Sequence, residues 1–176
     1  MLIRLWNLLR HLWLDGASAR RVLKPAAVKR LEQHVTAGEQ RHTGQVRVCA
    51  EASLPLPALW RHVWHGQSMA TLVRARALAL FGDLGVWDTE HNNGVLIYLL
   101  LAQHSIELVA DRGLNRFLAP AQWEAMLVSL AADLQAQRFE QGLMHAMDEV
   151  TAHLERHFPV GADQRSNELP DAVVLL

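Results

Sequence analysis

From residue 87 to residue 94 the chain reads Trp87-Asp88-Thr89-Glu90-His91-Asn92-Asn93-Gly94, which gathers carboxylates, amides and an imidazole in one short stretch. Oxygen donors of this kind suit hard cations such as Ca²⁺ or Mg²⁺. Asp88, Glu90, Asn92 and Asn93 are therefore candidate metal ligands, joined by Asp111 from further along the chain. The spacing of Asp88, Glu90 and Asn92 copies the opening of an EF-hand loop, but Asn93 stands where that loop needs glycine and Leu99 where it needs an acid, so an EF-hand is excluded. The plainer expectation is a tight turn at Asn92-Asn93-Gly94 whose amides satisfy their own backbone, with Asp111 bonded to Arg112 or to a helix end.

Phosphate-ester chemistry would need charge neutralisation, for which Arg112 and Arg76 are the candidate cationic side of a ligand cleft, and Arg74 a further candidate. A nucleophile is missing: there is no Walker-type glycine-rich loop and no Gly-x-Ser-x-Gly elbow. Cys49 is the single cysteine, lies in an alternating stretch and reads as a quiet buried thiol, which excludes an intrachain disulfide. The ten histidines are scattered. His153 and His157 lack the glutamate position of a His-Glu-x-x-His site and suit a helix C-terminus instead. Trp60, Trp64, Trp87 and Trp123 are expected to be packing residues, because large aromatics dominate core burial.

The elements that must hold the polar run follow from periodicity. Residues 95 to 102, Val95-Leu96-Ile97-Tyr98-Leu99-Leu100-Leu101-Ala102, are continuously apolar and read as a central strand buried on both faces. Gln45 to Glu51 alternates with period two and predicts a second strand, while Ser105 to Ala110 predicts a third, folded back as a hairpin. Because that third strand returns, its end at Asp111 and Arg112 falls beside Asn92 and Asn93, so two remote clusters share one edge of the sheet. Helices are expected from Pro25 to about Arg41, after Pro55 and Pro57, from an N-cap at Ser68 to about Gly85, and over two apolar stripes, Trp123 to Leu134 and Phe139 to Leu154. The fold class is α/β, a mixed sheet between helices connected by a right-handed crossover.

With 51% hydrophobic and 20% charged residues and a net charge of −1, the chain offers nucleic acid no global attraction, and no nucleic-acid partner is expected. Its first thirty residues hold Arg4, Arg10, Arg20, Arg21, Lys24, Lys29 and Arg30 against Asp15 alone. Leu2, Leu5, Leu9, Leu12 and Trp13 recur at helical spacing there, which predicts a basic amphipathic helix over residues 2 to 14. Trp6, Trp13, Arg4 and Arg10 would dock this extra N-terminal helix on a membrane protein or membrane surface. The apolar run there is too broken for a signal peptide, so the expected location is the cytoplasm, or the periphery of the inner membrane. The division expected is an N-terminal extension over residues 1 to 24, an α/β domain over 25 to 158 and a tail over 159 to 176 that docks as an edge strand or stays loose.

Four stretches together resemble the TPM domain family. They are Gln40-Arg41-His42-Thr43-Gly44-Gln45-Val46-Arg47-Val48, then Ala75-Arg76-Ala77 with Leu80-Phe81, then Asn92-Asn93-Gly94-Val95-Leu96-Ile97, then Val109-Ala110-Asp111-Arg112-Gly113-Leu114. The resemblance covers about residues 26 to 157 and implies a small α/β sandwich with a polar cleft at the strand ends, mapping here onto Asp88, Asn92, Asn93, Asp111 and Arg112. Family members are described variously as phosphatase-like, calcium-binding or associated with membrane protein complexes. Many bacterial relatives carry a signal peptide, a transmembrane helix and a glycine-rich tail, and this chain looks like the short branch without them. What the residues and the resemblance imply together is a non-enzymatic interaction module whose cleft takes Ca²⁺, Mg²⁺ or a peptide, with a metal-assisted phosphatase as the alternative.

Overall fold

The computed structural model describes His11, residues 16–161 and residues 168–176. The N-terminal helix expected over residues 2 to 14, with Arg4, Trp6, Arg10 and Trp13, lies outside the described residues apart from His11.

Among the described residues, seven α-helices and four strands follow in the order α1 (Gly16–Val22), α2 (Pro25–Glu39), β1 (Gln45–Glu51), α3 (Leu56–His65), α4 (Met69–Asp83), β2 (Gly94–Leu100), β3 (Ser105–Ala110), α5 (Arg112–Asn115), α6 (Pro120–Gln135), α7 (Phe139–His157) and β4 (Val174–Leu175). Local chemistry sets several of these boundaries. Pro25 occupies the first turn of α2, where no amide is needed, and the Ser68 hydroxyl accepts from the Thr71 amide at 3.1 Å to cap α4. The expected central strand ends at Leu100, two residues early, because Leu101–Gln103 coil into a single 3₁₀ turn that feeds the hairpin through His104 in the left-handed region.

The sheet has the order β3-β2-β1-β4. Strand β1 runs parallel to β2 in the register Gln45–Gly94 to Glu51–Leu100, and β3 runs antiparallel to β2 with Val95 opposite Ala110. All seven residues of β2 are buried, as an unbroken apolar run requires of a strand covered on both faces. Val46, Val48, Ala50, Val95, Ile97, Leu99, Ile106 and Leu108 join one apolar cluster with residues of α1, α2, α6 and α7. Cys49, Leu96, Tyr98, Leu100 and Val109 join a second with residues of α3 and α4. The result is a three-layer α/β/α sandwich, the fold class expected from the sequence.

Three expectations about single side chains change. Trp60, Trp64 and Trp87 are not core residues but 58%, 72% and 56% exposed, while Trp123 alone of the four is half-buried against the core. Periodicity placed them on helices or next to strands, but each falls on the side turned away from the sheet. Arg76 is not in a cleft with Arg112. It hydrogen-bonds through Nε and Nη2 to the buried Glu51 carboxylate, which also accepts from the Tyr98 hydroxyl at 2.7 Å. Glu51 pairs with Leu100 and Asp111 donates to Gly94, so Arg76 and Arg112 sit at opposite ends of β2, roughly 20 Å apart at a strand rise of about 3.3 Å per residue. Arg74 is likewise engaged, donating to the Leu108 carbonyl and to Glu107.

Both ends of the described chain are tied into the sandwich. Ala19 and Leu23 are core residues, so the packed unit begins ahead of residue 25. At the other end Val174 and Leu175 add β4 in parallel beside Cys49 and Ala50. The segment before them is strapped down by Gln45, whose Oε1 accepts from the amides of Glu168 and Leu169, and by the Arg47 guanidinium bonded to the Pro170 carbonyl. Cys49 is buried beneath it, and that burial pushes its thiol up to about 12, which keeps it protonated and unreactive at neutral pH. No helix among the described residues is long and apolar enough to cross a membrane.

Candidate functional site

The start of β2 and the end of β3 are neighbours because the hairpin brings the chain back. Asp111 donates its amide to the Gly94 carbonyl at 2.9 Å, and Gly113 donates to the Asn92 carbonyl at 2.8 Å. Asn92 adopts φ 52°, a left-handed conformation that asparagine tolerates better than most residues. Its side-chain Oδ1 accepts from Arg112 Nε at 3.0 Å. The two sequence-distant clusters therefore meet at one rim of the sheet, the arrangement on which the expected site depends.

Two rim positions leave no room for a side chain. A Cβ at Gly94 would lie 1.9 Å from the Val86 carbonyl oxygen, and one at Gly113 would lie 2.3 Å from the Asn92 oxygen and 2.7 Å from that of His91. Both contacts are with backbone, which cannot rotate aside. Glycine is needed at each position for close approach of two chain segments.

The five expected metal ligands fare differently. Asp111 caps α5, its Oδ1 accepting from the Arg112 amide at 2.6 Å, as the plainer expectation had it; its Oδ2 is buried without a hydrogen-bond partner. Asn93 is fully buried and donates its backbone amide to Thr89 Oγ1 at 3.1 Å. Its Nδ2 donates to the Thr43 carbonyl at 3.2 Å; since a carbonyl can only accept, the side chain's orientation is fixed and Oδ1 is the atom left unpaired. Asn92 has spent its side-chain oxygen on Arg112. Asp88 and Glu90 are exposed, with the Glu90 amide tied to Glu168 Oε2 at 2.9 Å. Among the described residues no three His, Cys, Asp or Glu side chains are grouped to hold a metal ion. The structure thus leaves two inward-facing acceptors, Asn93 Oδ1 and Asp111 Oδ2, as the rim's unsatisfied chemistry.

Sequence reasoning missed Thr43 and Thr89, which orient Asn93, and missed the packing role of Gly94 and Gly113. The Thr43-Gly44 turn was visible, but nothing local says that its carbonyl meets a residue fifty positions away. Beyond α5 a cavity of about 490 Å³ opens along the outer edge of β3, walled by Arg74, Glu107, Leu118 and Trp123.

A family model for the TPM domain matches residues 18–153, most of the described chain and both halves of the rim. The chain belongs to the TPM domain family. Its fold is shared with the BA42 protein from the psychrophilic bacterium Bizionia argentinensis, whose NMR structure aligns with a TM-score of 0.69 at 22% identity, covering 85% of this chain and 92% of that one. Likeness at this identity establishes the TPM fold alone. No curated protein matches the sequence. Within the matched residues, Asn92-Asn93-Gly94 and Asp111-Arg112-Gly113 are the two jaws of one clamp.

Proposed function

We propose that this TPM domain is a non-enzymatic interaction module that takes a divalent cation at the rim and works beside a membrane protein or complex. The observation that carries the cation reading is the pair of buried oxygens without partners, Asn93 Oδ1 and Asp111 Oδ2. An acceptor buried unpaired costs about 1–3 kcal/mol, a cost that a hard cation would remove. Because Asn93 is fully buried, the ligand that reaches it is ion-sized rather than a peptide. Ca²⁺ or Mg²⁺ would complete its shell with rim carbonyls and water. The membrane side of the reading draws on Arg4, Trp6, Arg10 and Trp13, the basic and aromatic residues near the start of the sequence.

A phosphatase at this rim is the poorer fit. Its two guanidinium groups, Arg112 and Arg76, are at opposite ends of the sheet, Arg112 Nε is committed to Asn92, and Thr89 Oγ1 is engaged by the Asn93 amide.

Calorimetric titration of the full chain with CaCl₂ and MgCl₂ tests the cation reading. With one carboxylate at the rim the expected dissociation constant is weak, on the order of 10⁻⁴ to 10⁻³ M. Asp111→Ala should abolish the heat, and Asp111→Asn, which keeps the α5 cap, should weaken it strongly. Heat that survives both substitutions, or no heat in the wild type at millimolar metal, would refute the rim as a cation site.

A further inference from the structure

The outward surface of α3 departs from an ordinary globular exterior. Leu56, Trp60 and Trp64 recur at intervals of four residues and are 57%, 58% and 72% exposed, and the two indoles stack with centroids 5.9 Å apart. The same exposed arc carries Arg61 and His65, while Ala58, Leu59 and His62 turn inward. From Ala52 to Gly82 the sequence contains no aspartate or glutamate, in a chain whose net charge is −1. Of the three arginines in that span, Arg74 and Arg76 have carboxylate partners, and Arg61 has none among the described residues. The exposed helix face is therefore apolar, aromatic and cationic at once.

A second observation concerns His11, which packs just ahead of this helix. His11 is buried, with Nδ1 accepting from the Leu54 amide at 3.2 Å and lying 3.0 Å from Ser53 Oγ, and with Nε2 2.9 Å from Gln103 Nε2. Ser53 and Leu54 immediately precede α3. In the sequence, residues 1–10 include Arg4, Trp6 and Arg10 and no acid.

We propose that the Leu56–Trp60–Trp64 face of α3, flanked by Arg61, seats this domain on an anionic lipid bilayer surface. The inference rests on the membrane-side reading above and supplies its docking surface and ligand. Indole rings gain most at the boundary between headgroups and acyl chains, where an apolar body and a polar N–H are both accommodated. A convex helix face needs no shaped groove to reach such a surface. Absence of carboxylates over thirty-one residues removes the repulsion that an acidic leaflet would otherwise meet.

The test is co-sedimentation of the full chain with phosphatidylcholine vesicles containing about 30% phosphatidylserine, beside vesicles of phosphatidylcholine alone. Binding should favour the anionic vesicles by about tenfold or more and fall steeply with salt. Trp60→Ala with Trp64→Ala should lower the partition coefficient about tenfold or more, and because both side chains are exposed the thermal melt should be unchanged. Arg61→Glu, which leaves both indoles in place, should weaken binding to anionic vesicles only. Equal binding to both vesicle types, unchanged binding by the tryptophan variant, or no binding at low salt would overturn the proposal; capture of an acidic protein without lipid binding would do so too. The metal titration uses no vesicles, so a silent rim with intact vesicle binding rejects the cation reading alone, and the reverse result rejects the lipid surface alone.

Discussion

Gly94→Ala is expected to cost this domain about 3 kcal/mol or more, the upper end of what overpacking produces, because the added Cβ would lie 1.9 Å from the Val86 carbonyl oxygen. A side-chain neighbour could change rotamer. Here the neighbour is backbone, and Gly94 opens β2, pairs with Gln45 and accepts the Asp111 amide. Any shift that relieves the clash therefore pulls on the parallel pairing and the hairpin together. Since small domains are stable by roughly 5–15 kcal/mol, the loss should be plain as a large fall in the urea midpoint. Gly82→Ala is the internal control: nothing lies within 4 Å of its Cβ and it sits in α4, where alanine is the better residue. It should be neutral or stabilising by up to about 1 kcal/mol. Equal midpoints for the two variants would show that Val86 and Gly94 are not in backbone contact.

Arg76→Ala should cost about 3–5 kcal/mol by leaving the Glu51 carboxylate buried with only the Tyr98 hydroxyl to bond it. The Glu51 side chain is 6% exposed and that of Arg76 23%, so the pair is shielded from water at the C-terminal ends of two parallel strands. Burial, compounded by the Glu51 charge, also holds the Tyr98 phenol well above its usual range, so it stays a donor. Arg74→Ala offers the contrast. Its partner Glu107 lies 3.3 Å away and Arg74 is 47% exposed, so that ion pair should be worth under about 1 kcal/mol. Denaturation midpoints of the two variants should differ accordingly. If they coincide, the Glu51–Arg76 pair is solvated and the second apolar layer is looser than its burial indicates.

What the sequence revealed and what it hid divide along a physical line. Period-two alternation in Gln45–Glu51 signalled a strand but not that both its faces are buried, because Gln45 and Glu51 are covered by segments distant in the sequence. The unbroken run after Gly94 and the helical stripes of α6 and α7 are local records of which face meets the core, and they were readable as such. The convergence of Asp111 with Asn92 was readable too, because a hairpin leaves a returning strand only one place to end. Helix α5 was not, since four residues are too few for periodicity, although Asp111 is an ordinary N-cap residue. Arg76 could be placed on a helix but not at an end of the sheet, because its partner Glu51 lies in another element. Trp60 and Trp64 are exposed where packing was expected for a related reason: an aromatic stripe states that a surface is apolar, not which of two surfaces is inside. Gly94 and Gly113 show the same limit, for a glycine's requirement is written in the segment that approaches it.

The rim rests on one junction, the backbone pair between the amide of Gly113 and the carbonyl of Asn92. Native-state hydrogen exchange followed by NMR addresses it directly. The Gly113 and Asp111 amides should exchange slowly and lose protection together with the β2 amides, as members of one cooperative unit. Exchange of the Gly113 amide at the rate of an open loop, while β2 remains protected, would separate the two segments and dissolve the rim.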